Sequence, residues 1–468
     1  MGSYPQPLAR DLENDIPLDS MMQIGFGKND ITPRVGVELC GFGPYRCRRS
    51  IGVRDQLWAR AMVAEHDGAT VVLISCDLVG MSAELTNRVR ARVGEVTGLP
   101  DDAILLHCTH THSGPNTGGY IGWGAPDQPY LETLPQRIAR AARDAAQNRA
   151  EATLCHAEVA CEGIGLNREY DRAAPPIEDV LDDDWRPQRP ELTDTTCHVV
   201  DVRSRGQRIG FLSYFGCHPV VCCAETRYIH GDYCGVATNM LERESPGAIG
   251  LFLQGAQGDV NSCIVHKGEQ ESMLALDVIA SRYANSVRRG LQEAEPISAD
   301  AIRIRRRHGI FTRKPWTHAD LRQKLDESER RLSDPEATDI YSTDQWNVRM
   351  ETVYAVALRR LVALSERGEP LSPPIEIHGL RIGPLAFLGS PFEVFQAIKN
   401  DVCARAVSPI PLVMGITNGS AGYAVDRVAA ERGGYAADMV PLIIGEAPFA
   451  NVHSELAAEL LALDRELH

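Results

Sequence analysis

Two β-rich runs, WARAMVAEH and ATVVLISCD, flank Asp67-Gly68 and predict a hairpin between Leu57 and Asp77. Ser82 can cap a following helix, on which Leu85, Val89, Val93 and Val96 share one face before Gly98-Leu99-Pro100 ends it. Ala103 to Cys108 is a short apolar strand that delivers the chain into His110-Thr111-His112-Ser113-Gly114-Pro115. A long helix over Tyr130–Ala150 and a strand over Ala152–Ala160 come next. Cys197–Arg203 with Ile209–Gly216 predicts a second hairpin, which runs into Cys217-His218-Pro219. Ile375–Leu388 predicts a third, ending at Gly389-Ser390-Pro391-Phe392-Glu393. A C-terminal helix keeps Leu456, Leu460, Leu463 and Leu467 on one stripe.

Each hairpin thus feeds a turn carrying glycine, proline or an ionisable residue, as expected when rigid strands present chemistry at their ends. Short hairpins argue against a purely parallel, doubly wound sheet. The expected fold is α/β, with a mixed, hairpin-rich β-sheet core flanked by helices in a single large domain over residues 21–468, after an N-terminal extension of residues 1–20. Two insertions interrupt it. Residues 171–194, rich in Pro, Asp and Arg, read as a solvated surface loop or as a mobile flap, and residues 314–345 as a helical insertion. The basic run Arg303, Arg305, Arg306, Arg307 reads as a solvated strand edge rather than an anion site.

Composition narrows the partners. With 48 Lys and Arg against 63 Asp and Glu, the formal charge of -15 disfavours nucleic acid or an anionic membrane as the main partner. The 13 cysteines are odd in number and form no C-x-x-C pair, so free thiols and a cytoplasmic location are expected. Acidic residues interrupt any apolar stretch near the N-terminus, so no signal peptide is expected, and no membrane span is legible.

His110 and His112, two apart at a strand end, can direct both rings into one cavity, as a metal ligand and a proton-handling neighbour would; H-x-H also occurs as an ordinary polar turn. His107 and Cys108, without zinc-ribbon spacing, are assigned to packing. His218 is a ligand candidate or a satisfied core histidine. Glu393 follows an apolar strand, where a carboxylate is costly unless exposed, paired or bound to a cation. Tyr423 ends the glycine-rich turn Asn418-Gly419-Ser420-Ala421-Gly422, and Tyr435 follows Gly433-Gly434.

In their order these segments resemble the catalytic domain of the neutral, non-lysosomal ceramidases. The carriers are HTHSGP at 110–115, Asn167-Arg168, CHP at 217–219, His230-Gly231-Asp232 with Gly235, Gly258-Asp259-Val260, SPFE at 390–393, and Tyr423 with Tyr435. The resemblance runs from Ile31-Thr32-Pro33 to nearly the C-terminus. It implies one zinc ion per chain, held by His110, His218, Glu393 and Tyr423 with room for a water. It further implies that His112 handles protons, that Tyr435 donates to the developing oxyanion, and that Arg168 orients or stabilises the bound group.

The sequence departs from the family in its substrate region. Where the ceramidases carry a serine after Gly-Asp-Val, this chain has Asn261, which can hydrogen-bond but cannot supply a hydroxyl nucleophile. No immunoglobulin-like domain or secretion signal is legible. The expected function is therefore a zinc-dependent amidohydrolase acting on a small-molecule N-acyl amide, a polar metabolite rather than a sphingolipid. An esterase or lactonase on the same site, and a metal-stabilised binding protein that has lost activity, remain as alternatives. The shape and polarity of the cavity beside the metal ligands would separate lipid from small-molecule readings.

Overall fold

The expected hairpins form because β-branched and apolar runs flank turns that tolerate positive φ, such as Asp67 at 48° and Gly68 at 78°. The computed structural model describes residues 22–170, 175–333 and 345–468. Its main sheet is built from β1 (Met22–Asp30), β2 (Trp58–His66), β3 (Ala69–Cys76), β4 (Ile104–Cys108), β5 (Ala150–Ala160), β6 (Thr196–Ser204), β7 (Gln207–Phe215) and β8 (Ile249–Gln254). The spatial order is β8-β7-β6-β5-β1-β2-β3-β4, with the short Glu295–Pro296 strand paired to β5. A second, four-stranded sheet runs β9 (Ile302–Gly309), β10 (Ile375–Ile382), β11 (Leu385–Gly389) and β12 (Ile410–Met414).

One unit recurs three times: an antiparallel hairpin, a crossover helix, and a strand that returns parallel to the hairpin's second arm. Hairpin β2–β3 is followed by α1 (Ala83–Thr97) and then β4, parallel to β3. Hairpin β6–β7 is followed by α3 (Asp232–Glu244) and β8, parallel to β7. Hairpin β10–β11 is followed by α7 (Gln396–Arg405) and β12, parallel to β11. The two sheets share a core in which Leu73, Leu105 and Leu212 of the main sheet pack with Leu380, Phe387 and Leu412 of the second. Carboxyl ends of parallel strands leave a crevice that connecting loops line, which is where open α/β sheets bind ligands.

The helices follow their sequence signals closely. Ser82 caps α1 by accepting from Leu85 N, and Gly98 closes it in the left-handed conformation. Leu85, Val89 and Val93 are buried, but Val96 is 36% exposed. Although in phase with the others, Val96 lies in the final turn, beyond the cover that buries them. The helix expected over 130–150 is α2 (Gln128–Gln147), which starts two residues earlier because Asp127 caps it. The C-terminal helix α8 (Val452–Leu467) buries all four stripe leucines completely. Full burial of such a side chain contributes roughly 1.5–3 kcal/mol.

One expectation about the insertions needs revision. Residues 175–194 are not a free loop: Val180 is fully buried, and Arg282 of α4 (Glu269–Glu293) donates to the carbonyls of Val180, Gly163 and Asp182. The buried Asp194 carboxylate accepts from Gly216 N at 3.0 Å and tethers the segment's end. This part of the segment therefore docks on the main body and contributes no wall to the central cleft. Residues 171–174 lie outside the described residues, as does 1–21. The helical insertion holds α5 (His318–Leu332), capped by Thr317, with α6 (Trp346–Glu366) packed beside it, while 334–344 lies outside the described residues. The basic strand β9 is indeed a sheet edge, and its Arg307 pairs with Glu459 and Glu466. Among the described residues no helix is long and apolar enough to cross a membrane.

The loop after β8 locks the two sheets' ends together. Gly258 N donates to Val394 O at 2.8 Å, and a Cβ on Gly258 would stand 2.5 Å from Glu393 O. Such overpacking against backbone costs about 1–3 kcal/mol. Gly258→Ala should therefore lower the urea midpoint of unfolding by that free energy; an unchanged midpoint would show that the 258 and 393 segments move apart freely.

Candidate active site

Chain segments leaving β4, β7, β11 and β12 converge. After β4 the backbone turns sharply, placing His110 at a φ of 72°, a left-handed conformation uncommon outside glycine though less so for histidine than for most residues. Its N–H donates to Leu78 O at 2.9 Å and its Nδ1 lies 2.5 Å from Val79 O. After β7, His218 N donates to Val260 O at 2.8 Å and His218 Nδ1 lies 2.6 Å from Gln257 O. Glu393 and Tyr423 face each other in a short parallel bridge between the loops after β11 and β12.

A carbonyl oxygen only accepts, so Nδ1 of both histidines must carry the proton. In the neutral imidazole the Nε2 atoms then present lone pairs, and these converge on one carboxylate oxygen. Glu393 Oε2 lies 2.9 Å from His218 Nε2 and 3.3 Å from His110 Nε2. Burial holds His218 down at about 4, well under the ordinary imidazole value. Burial alone would raise the Glu393 carboxyl, and only where His110 and His218 carry positive charge do they outweigh it and hold the group well below the usual range.

His112 adds a third nitrogen, its Nε2 3.2 Å from His110 Nε2. The His110, His112 and His218 ligand atoms all lie within 4.8 Å of one another. Donors around a tetrahedral zinc, each about 2.0–2.1 Å from the ion, stand about 3.3 Å apart, so the separations match a metal site. His112 therefore sits closer to the ligand cluster than a detached proton carrier would. The loop behind it, unassigned on sequence grounds, fixes its ring. Phe42 packs edge-on at 5.3 Å, Arg48 donates to His112 O at 3.2 Å, and a Cβ on Gly41 would stand 2.5 Å from His112 Nδ1.

Arg168 places its guanidinium carbon 4.7 Å above the Tyr423 ring centre, and its buried Nη2 has no hydrogen-bond partner among the described residues. The Tyr435 ring lies 6.4 Å from that of Tyr423 and is 42% exposed, so it stands at the cleft rather than in the core. Asn261, opposite Leu166 in a short antiparallel ladder, also faces the cleft. His107 is fully buried and accepts from Gln254 N at 2.7 Å, which bears out its packing role. A second close group, Cys222, His230 and Asp232, is buried as well. There His230 Nδ1 accepts from Asp232 N at 3.0 Å, so its Nε2 carries the proton and offers no lone pair.

The cleft beside these residues encloses about 790 Å³. It is no long apolar tunnel: Phe42, Trp123 and Trp346 share its walls with Arg46, Arg168 and Lys267.

Fold and site together define an α/β protein with a histidine- and carboxylate-rich centre at its strand ends, of the kind that serves a metallohydrolase. The model of the neutral/alkaline non-lysosomal ceramidase family, N-terminal part, matches residues 22–281. The chain belongs to that family, whose members hydrolyse amide bonds. Among solved structures, the neutral ceramidase of Pseudomonas aeruginosa is similar at a TM-score of 0.70 and 19% identity, over 95% of this chain and 75% of that one. A ceramidase complexed with C2 is similar at 0.71 and 18%, over 95% and 76%. These likenesses bear out the fold.

Asp259 shows how the GDV segment supports the site. Its carboxylate accepts from Gln396 N at 2.8 Å and from Asn167 Nδ2 at 3.0 Å, which fixes the residues beside Glu393 and Arg168. Removing it strands two buried donors, at about 1–3 kcal/mol each. Asp259→Ala should lower unfolding free energy in urea by roughly 2–4 kcal/mol; a loss under about 0.5 kcal/mol, the size of an ordinary surface substitution, would refute the tethering role.

Proposed function

We propose that this chain is a zinc-dependent amidohydrolase that cleaves the linear amide of an N-acylated amine, a small polar metabolite rather than a sphingolipid. The convergence of His110 Nε2 and His218 Nε2 on the Glu393 carboxylate supports the reading, because two imidazoles and a carboxylate so close form a donor set suited to a metal ion. His110, His218, Glu393 and Tyr423 would hold one zinc ion. Bound there, zinc supplies a water acidified toward a pKa of about 7 and polarises the scissile carbonyl.

The protein's own residues do the rest. His112 takes and returns a proton at Nε2, held in place by Phe42 and Arg48. Arg168, with its unpartnered Nη2, orients the carbonyl side of the substrate, and Tyr435 at the cleft edge donates to the oxygen that gains charge. Asn261 hydrogen-bonds the amine half without acting as a nucleophile. The mixed polar wall of the cleft supports a compact substrate over a long alkyl chain. The thirteen unpaired cysteines, among them the neighbours Cys222 and Cys223, support a reducing, cytoplasmic setting.

Purified protein should contain one zinc per chain, lose amide turnover on chelation and regain it with zinc. His112→Ala should keep the zinc while losing about 100- to 10,000-fold in kcat, whereas His110→Ala and Glu393→Gln should lose the metal. Metal-free protein whose activity ignores chelators would overturn the reading, and loss of zinc from His112→Ala would make His112 a ligand. Tyr435→Phe should lower kcat by about 100- to 1000-fold; parity with the unaltered enzyme would remove Tyr435 from the oxyanion site.

A further inference from the structure

The cleft's charge runs against that of the chain. The formal charge of the whole is -15, yet the cleft walls carry Arg46, Arg168, Lys267 and Arg432 against one carboxylate, Glu169. Arg432 and Glu169 neutralise each other in a close ion pair. The other three cations have no acidic partner among the described residues within ion-pair distance. Two of them also present buried N–H groups with no acceptor among the described residues, Arg46 at Nε and Arg168 at Nη2. Leaving such groups unpaired is unfavourable unless a ligand or solvent completes them.

The cations are gathered by the fold. Gly43 seats two of the side chains at one wall, since a Cβ there would stand 2.7 Å from the Trp346 ring and 3.1 Å from Arg46 Nε. Behind that wall Arg48 is a buried cation whose hydrogen bonds among the described residues go to carbonyls, those of Cys40, Gly41, His112 and Thr226. On the facing wall His266 lies 6.4 Å from Phe42, ring to ring, next to Lys267. Arg46, Arg168 and His266 line the same cleft, and His266 is held below the ordinary imidazole value by burial and by the two guanidiniums. A neutral amino-alcohol head group would leave this concentration of positive charge uncompensated.

We infer that the cleft selects N-acyl amides whose amine half carries a carboxylate, that is N-acyl amino acids, and that Arg46 and Lys267 are the residues that read this anion. The inference rests on the amidohydrolase reading and adds the substrate's charge to it. Arg168, beside Tyr423, serves the reacting end of the substrate. Arg46 and Lys267, on the same cleft walls as Trp346 and His266, are assigned to the end that the reaction releases. A guanidinium can engage a carboxylate through two parallel hydrogen bonds, which a neutral amide group cannot reproduce.

The test compares N-octanoylglycine with N-octanoylglycinamide on the zinc-loaded full chain, following release of glycine or glycinamide. The carboxylate should be preferred at least about tenfold in kcat/KM, mainly through KM, and Arg46→Gln or Lys267→Gln should each shrink that ratio by about tenfold. Equal turnover of both amides, or a ratio unmoved by both substitutions, overturns the anion site while leaving the hydrolase reading intact. Calorimetry with the ketomethylene isostere of N-octanoylglycine and with its primary amide reads binding without turnover. Preferential binding of the acid, lost in Arg46→Gln, upholds the anion site even where neither amide is cleaved; equal binding overturns it.

Discussion

Two backbone carbonyls, those of Val79 and Gln257, decide what the centre of this molecule can do. By accepting from Nδ1 of His110 and His218, they fix both tautomers and aim both Nε2 lone pairs at the Glu393 carboxylate. A shared proton could relieve one such contact, but one proton cannot serve two imidazoles and a carboxylate at once. The deep burial that lowers His218 also removes the water that could otherwise separate them. The arrangement is therefore a compact set of donor atoms that could hold a metal ion.

The scaffold explains how residues so far apart in sequence come within about 3 Å of one another. His110 and Glu393 are separated by 283 residues, yet each lies just beyond a strand of a parallel pair in a hairpin–helix–strand unit. The loop after β8 joins the units, with Gly258 against the Glu393 backbone and Asp259 bonded to both Gln396 and Asn167. Ligand spacing is thus set by the packing of two sheets rather than by any local turn. Such a centre is rigid, as metal and transition-state geometries demand.

Much of this was legible in the chain. Hairpins at Asp67-Gly68, 204–207 and 383–384 announce themselves through turn chemistry and alternation, which are local. The stripe of Leu456, Leu460, Leu463 and Leu467 is likewise a local pattern, and its burial follows from it. The ligand candidates His110, His218, Glu393 and Tyr423 stood out through motif order, and the structure brings them to one place. What sequence could not show depends on contacts between distant segments. Nothing in GFGPYRC marks Gly41 as the backing of His112, or Arg46 as part of a cleft wall, because neither has a periodicity or a local partner to reveal it. The segment 175–194 looked too polar to pack, yet a few buried groups, Val180 and Asp194 among them, are enough to dock it. The closeness of His112 to His110 Nε2 was also beyond reach, since i and i+2 geometry gives a shared face but not a distance.

Substitution of the family's serine by Asn261 and the charge of the cleft belong to one argument. A serine hydroxyl and an asparagine amide both hydrogen-bond, but the amide is larger, and it narrows the region where the amine half must lie. A smaller head group needs a stronger anchor than dispersion to fix its orientation. Arg46 and Lys267 supply charge at that end, while Phe42 and Trp346 keep the space partly shielded from water, which strengthens each polar contact. A long acyl chain would gain little from walls so rich in cations, whereas a short acyl group carrying a carboxylated amine would satisfy both the apolar corner and the unpartnered N–H groups. The same strand ends that serve amide hydrolysis in this family can present different cleft walls when the loops between them change.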